Sequence, residues 1–114
     1  MNDPIRLART LKVLSVPARV RIAQLLKGRA LCVNALVARL EMTQGAVSQH
    51  LRIMKDAGLI TDEKRGYYVH YQLNEKTLAA WRGAIIKLLA PTPEAGVTRK
   101  GAKPCAAMRE NRAV

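Results

Sequence analysis

Positions 40–51 read Leu40-Glu41-Met42-Thr43-Gln44-Gly45-Ala46-Val47-Ser48-Gln49-His50-Leu51, and Arg52 follows. At about 100° per residue, Val47, Leu51 and Met54 fall on one face of a helix, with Gly45, Ser48, Gln49 and Arg52 opposite. The first face needs a core. The second is small or hydrogen-bonding, and its chemistry suits a DNA major groove. Gln44 and Gln49 can pair with adenine, Arg52 with guanine, and Ser48 with a base edge or a phosphate. Small residues near the start let the backbone sit deep, and exposed N–H groups at the helix N-terminus suit a phosphate. Positions 43–55 contain no Asp or Glu. An ordinary amphipathic helix is the competing reading of this face taken alone.

The second group of reactive residues is a pair of thiols, Cys32 and Cys105. Cys32 falls at the start of a predicted helix near Arg29, a setting that favours thiolate. Cys105 lies in a basic tail. The stretch from Ala90 to Cys105 could extend ~50 Å at ~3.3–3.6 Å per residue, enough to reach Cys32 of its own chain or of a dimer mate. Such a pair could bind a thiophilic ligand or close as a disulfide; two unrelated thiols are the bland alternative. His50 and His70 are the only histidines, and His50 reads as a packing residue on the buried side of its helix.

These groups need elements to hold them. Leu7, Leu11 and Leu14 give residues 4–14 a helical repeat. Pro17 suits the first turn of a second helix, with Ile22, Leu25 and Leu26 buried and Gly28 after its end. A third helix runs over 33–40, with Leu36, Val37 and Leu40 inward. Thr43 is a strong N-cap for a fourth, ended by Gly58. The third and fourth helices meet across a three-residue turn, the connection of a DNA-binding helix-turn-helix. This places the DNA-touching unit at 33–59.

The period then changes from helical to alternating. Tyr67, Val69, Tyr71 and Leu73 share one face of an extended segment, with Tyr68, His70 and Gln72 on the other. Residues 60–64 supply a partner strand, with Arg65-Gly66 at the turn. Lys64 and Arg65 then sit at the tip of a two-stranded ribbon that could reach a minor groove or phosphate track. Tyr67, Val69 and Tyr71 read as packing residues, Tyr67 also as a phosphate donor. Asn74 caps a last helix from Glu75 to Ala90, closed by Pro91 and Pro93. Leu78, Trp81, Ile85, Leu88 and Leu89 are expected to face the core. Ala79, Gly83 and Ile86 leave a second smooth face, with Ile5 and Ala8 of the first helix as neighbours. A helix apolar on two sides needs two partners, which predicts a homodimer.

The expected fold is therefore mainly α with a small β-hairpin (α+β), a dimeric winged helix-turn-helix in the order ααααββα. Residues 1–90 form the DNA-binding and dimerisation domain, and 91–114 a basic tail that is disordered unless something holds it. Composition agrees. Twenty Lys and Arg against eight Asp and Glu leave a net charge of +12, which calls for a polyanionic partner. A Gly-rich phosphate loop, a histidine metal cluster and a nucleophile–base pairing are missing from the sequence, which argues against an enzyme. No apolar run approaches the roughly 20 residues of a membrane span. The N-terminal Met1-Asn2-Asp3-Pro4 does not resemble a signal peptide, so a cytoplasmic location is expected.

Three stretches together resemble the arsenic-responsive repressor family (ArsR/SmtB). They are Thr43-Gln44 with Ala46-Val47-Ser48-Gln49-His50-Leu51, then Ala57-Gly58-Leu59-Ile60, then Arg65-Gly66-Tyr67-Tyr68-Val69-His70-Tyr71-Gln72-Leu73. The resemblance covers about residues 5–90, and Leu31-Cys32-Val33 matches the start of the family's metalloid motif. It implies a homodimeric repressor that binds an inverted repeat of double-stranded DNA and releases it when an inducer binds. The family's arsenite sensors carry Cys-Val-Cys-Asp-Leu-Cys on the third helix, where this chain has Cys32-Val33-Asn34-Ala35-Leu36-Val37. With only the first thiol present, that three-thiolate site cannot form. The zinc-type site of the last helix needs Asp and His, and 75–90 contain neither. Cys32 and Cys105 thus become the metalloid or redox residues, with As(III) or methylarsenite as inducer and no required cofactor. A thiol-redox repressor, or a constitutive nucleic-acid-binding winged helix without inducer, are the alternatives.

Overall fold

The computed structural model describes residues 3–92. Each helix begins where a side chain or a proline settles its first turn. Asp3 Oδ1 accepts from the Ile5 N–H at 3.0 Å and Pro4 opens α1 (Pro4–Leu14). Pro17 opens α2 (Pro17–Leu25). A two-residue strand, β1 (Leu31–Cys32), leads directly into α3 (Val33–Leu40). Thr43 Oγ1 accepts from the Ala46 N–H at 3.1 Å and starts α4 (Gln44–Asp56). The hairpin strands are β2 (Ile60–Arg65) and β3 (Tyr68–Leu73). Asn74 Oδ1 accepts from the N–H groups of Lys76 and Thr77, and α5 (Glu75–Leu89) follows.

The expected winged helix-turn-helix is present, with one strand more than the hairpin alone. The sheet is antiparallel in the order β1-β3-β2, pairing Leu31 with Tyr71 and Cys32 with His70. Between α3 and α4 the chain turns at Glu41, a left-handed residue (φ 55°) whose N–H donates to the Val37 carbonyl.

The core lies where the helix faces meet the inner end of the sheet. Ile22, Leu36, Val47, Leu51, Met54, Leu59 and Ile60 are fully enclosed, with Leu26, Leu40, Leu73 and Trp81 beside them. Burying each large apolar side chain contributes roughly 1.5–3 kcal/mol, so the same residues that fix the fold hold α4 in place.

Two expectations fail. Tyr67 is not a packing residue of the strand: it is 98% exposed. Arg65 pairs with Tyr68 across the hairpin, so the two-residue loop is Gly66-Tyr67 rather than Arg65-Gly66. Such a loop needs a positive φ at its first position, which Gly66 supplies (φ 64°), and this pushes Tyr67 to the tip. Leu88 and Leu89 do not face the core either, being 52% and 74% exposed. Trp81 is the one fully covered residue among those described on α5, whose last turns run past the edge of the domain.

Candidate nucleic-acid interface

α4 sits on the body through Val47, Leu51 and Met54, all buried. This leaves Gln44, Gly45, Ser48, Gln49 and Arg52 exposed on its outer side. A Cβ at Gly45 would meet nothing within 4 Å, so the start of the helix is open to a close-approaching partner. Its first turn carries no acid. The sequence-predicted reading residues therefore share one open face of one rigid helix.

The wing is fixed beside that face by a contact that periodicity did not suggest. Lys55 Nζ, in the last turn of α4, lies 2.8 Å from Asp62 Oδ2 on β2. The hydrogen bond to Asp62, then its charge, hold the Lys55 ammonium above its ordinary pKa. Both partners are substantially exposed, so the contact orients the wing more than it stabilises the fold. Ser48, Arg52, Lys55 and Tyr71, with the acids Asp56 and Asp62, line the cleft between helix and wing.

Successive strand residues point to opposite faces. On β2, Ile60 is buried and Asp62 meets α4, so Lys64 shares the α4 side while Glu63 and Arg65 share the other. The two wing cations are therefore not equivalent. Arg65 Nε also donates to Glu63 Oε1 at 2.9 Å, whereas no acid among the described residues forms an ion pair with Lys64. Tyr67 stands at the tip between the two strands.

His50, read as a packing histidine, is half-buried, and its Nδ1 accepts from Arg19 Nε at 3.2 Å. Burial and then the Arg19 charge push its pKa below the ordinary 6.5. The same guanidinium donates from Nη1 to the Val13 carbonyl at 3.3 Å.

Cys32 is a half-buried free thiol at the N-cap of α3, where its side chain makes no cap hydrogen bond. Arg29, expected beside it, donates from Nε to the Leu25 carbonyl at 2.7 Å. Across the sheet from Cys32 is His70, whose Nδ1 is buried and unpartnered. Cys105 and all but the first residues of the expected tail lie outside the described residues. Among the described residues no group of three His, Cys, Asp or Glu could hold a metal ion, and no helix is long and apolar enough to cross a membrane. The expected dimer residues Ile5 (63%) and Ile86 (60%) are exposed, as are Ala8, Ala79 and Gly83.

Known proteins resemble this chain in sequence and fold. Residues 16–62 match the family model described as "Bacterial regulatory protein, arsR family". The HTH-type transcriptional repressor SmtB of Mycobacterium tuberculosis is 42% identical over 69 residues, covering 60% of this chain and 51% of that protein. The chain thus spans about half the length of that relative. The arsenical resistance operon repressor of Staphylococcus xylosus is 38% identical over 72 residues, 63% of this chain and 69% of that protein. A crystal structure of a possible transcriptional regulator for arsenical resistance superposes with a TM-score of 0.65 at 33% identity, covering 82% of this chain and 96% of the other. These relatives are transcriptional regulators rather than enzymes, and their names divide between arsenical and other responses. With the winged helix-turn-helix, the matched motifs and these relatives in hand, the chain belongs to the arsR family of bacterial regulatory proteins.

Proposed function

We propose that the chain acts as a homodimeric DNA-binding transcriptional repressor, reading an inverted-repeat operator with α4 and steadying the complex with the wing. One observation carries this reading: the outer face of α4, free of acids from Gln44 to Lys55 and ending at the exposed Asp56, presents Gln44, Ser48, Gln49 and Arg52 together, flanked by a wing bearing Lys64, Arg65 and Tyr67. The side chains on α4 would contact base edges, while the wing groups would contact phosphate or the minor groove. Ile5, Ala8, Ala79, Gly83 and Ile86 would pair the protomers, bringing two reading helices about one DNA turn (~34 Å) apart.

For the inducer, the reading is a trivalent arsenical held by the thiols of Cys32 and Cys105. Methylarsenite carries two exchangeable hydroxyls; each thiol proton leaves with one of them as water, and two As–S bonds form. Arsenite would keep one hydroxyl on the same two sulfurs. The arsenical-resistance names among the relatives support this class of ligand. The position of Cys32 supports a route to release, because its backbone both caps α3 and pairs with β3 of the wing. A ligand on its sulfur would strain the element that precedes α4 and the one that flanks it.

Operator binding followed by fluorescence anisotropy, with arsenite or methylarsenite titrated in, tests both halves. Gln49→Ala and Arg52→Ala should lose sequence preference. Cys32→Ser and Cys105→Ser should bind operator and fail to release it. Normal release by the Cys32→Ser protein would end the thiol reading. Release by a mild oxidant, with mass loss of two hydrogens and no arsenic adduct, would replace the arsenical with a disulfide.

A further inference from the structure

The Arg19 guanidinium touches three elements at once. It springs from α2, donates from Nη1 to the Val13 carbonyl near the end of α1, and donates from Nε to His50 Nδ1 on α4. α1 carries Ile5 and Ala8 of the exposed apolar face, whereas α4 carries the reading residues. We propose that Arg19 is a positioning residue for DNA recognition, bracing α4 against α1 through the His50 imidazole and so setting the tilt at which α4 meets the duplex. The proposal rests on α4 being the DNA-reading helix.

The chemistry of the contact fixes its conditions. A guanidinium N–H can only donate, so Nδ1 must offer its lone pair and the ring proton must sit on Nε2. The brace therefore exists only with neutral His50. Protonating Nδ1 removes the acceptor and places a cation against Arg19. Burial and the Arg19 charge both favour the neutral form, which keeps the brace intact at neutral pH and undoes it on acidification. The other charges on elements packed against α4 are engaged elsewhere: Arg21 donates to the Arg39 carbonyl, Arg39 to the Ala35 carbonyl, Asp62 meets Lys55, and Glu63 meets Arg65. Lys64 lies toward the wing tip, and Arg19 is the charge that bears on His50.

This gives the pH response a diagnostic sign. Adding a positive charge to a DNA-binding helix should tighten binding to a polyanion. Loss of the brace should weaken it. Arg19→Lys keeps the charge but not the planar fork that spans two acceptors. His50→Gln keeps a neutral acceptor, whereas His50→Ala removes it.

Operator affinity of the full chain is measured at pH 7.5 and pH 5.5 by anisotropy at fixed salt, with thermal melting as the check on folding. Wild type should weaken at the lower pH, by less than about tenfold, because the lowered His50 pKa leaves part of the imidazole neutral there. His50→Gln should bind as wild type at pH 7.5 and show no such loss. Arg19→Lys and His50→Ala should each weaken binding by a similar factor, and the double variant no further. Nitrogen NMR of the histidines reads the brace without DNA: His50 should hold its proton on Nε2 in wild type and exchange between tautomers in Arg19→Lys. Tighter wild-type binding at low pH, additive losses in the double variant, or an unchanged tautomer in Arg19→Lys would each overturn the proposal. If Gln49→Ala and Arg52→Ala leave operator binding unchanged, the α4 reading fails instead, and the NMR result still decides whether the brace exists.

Discussion

The two wing cations should contribute unequally to DNA binding, although they are adjacent in sequence. Lys64 points to the α4 side of β2. Arg65 points away and is already met by Glu63 at 2.9 Å, with the two side chains 52% and 59% exposed. A phosphate binding to Arg65 must share it with that carboxylate, whereas Lys64 can replace a condensed counterion outright. Each neutralised phosphate adds about 0.9 to the slope of log affinity against log salt, so losing Lys64 from both protomers should flatten that slope by about 1.8. Between roughly 50 and 200 mM salt, this makes the Lys64→Ala penalty about 12-fold larger at the low end. Arg65→Ala should flatten the slope by clearly less, and Glu63→Gln should tighten binding by freeing Arg65. The assay is an anisotropy titration on one operator duplex across a salt series. An unchanged slope for Lys64→Ala, or a larger change for Arg65→Ala, would refute the reasoning from strand alternation and the ion pair.

Three further outcomes follow from the same geometry. Thr43→Ala removes the side-chain acceptor for the Ala46 N–H and should cost about 1 kcal/mol, lowering the melting temperature by about 4–8 °C; an unshifted melt would mean that the cap is not needed. Glu41→Gly relieves a left-handed non-glycine residue costing ~1–2 kcal/mol, less ~0.5–1 kcal/mol of added unfolded-state entropy, so chemical denaturation should show a gain of up to ~1.5 kcal/mol; a destabilised variant would contradict it. Ile86→Glu places a charge on the exposed apolar face of α5 and should yield folded monomers by light scattering and circular dichroism, while an intact dimer would put the interface elsewhere.

The helices were readable because their signals are local. Thr43 and Asn74 announce α4 and α5, and the spacing of Leu36 and Leu40 or Val47, Leu51 and Met54 gives the buried faces directly. Where the deciding partner is distant in sequence, local pattern says little. β1 has only two residues and therefore no period; it exists because β3 offers an edge to pair with. Tyr67 alternates correctly with Val69 and Tyr71, but the φ required at Gly66 shifts the turn by one residue and carries it out of the strand. Leu88 and Leu89 continue the apolar spacing of α5 beyond the point where the core beneath it ends. Of the proposed reading face, the α4 residues were legible as a helical pattern, while the contacts that position it were not. Arg19 and His50 are 31 positions apart. Lys55 and Asp62 are nearer, and a cation ending a helix with an acid in the following strand was a usable signal for that pair.

Selection of bound sequences from a random duplex pool, with wild type and Arg52→Ala side by side, tests the central claim most directly. The account predicts that wild type enriches an inverted repeat with half-site centres about 10–10.5 base pairs, or one turn, apart. It also predicts that Arg52→Ala loses preference at one position in each half-site. Salt-dependent binding with no enriched repeat would contradict it, and would leave a constitutive nucleic-acid-binding winged helix in its place.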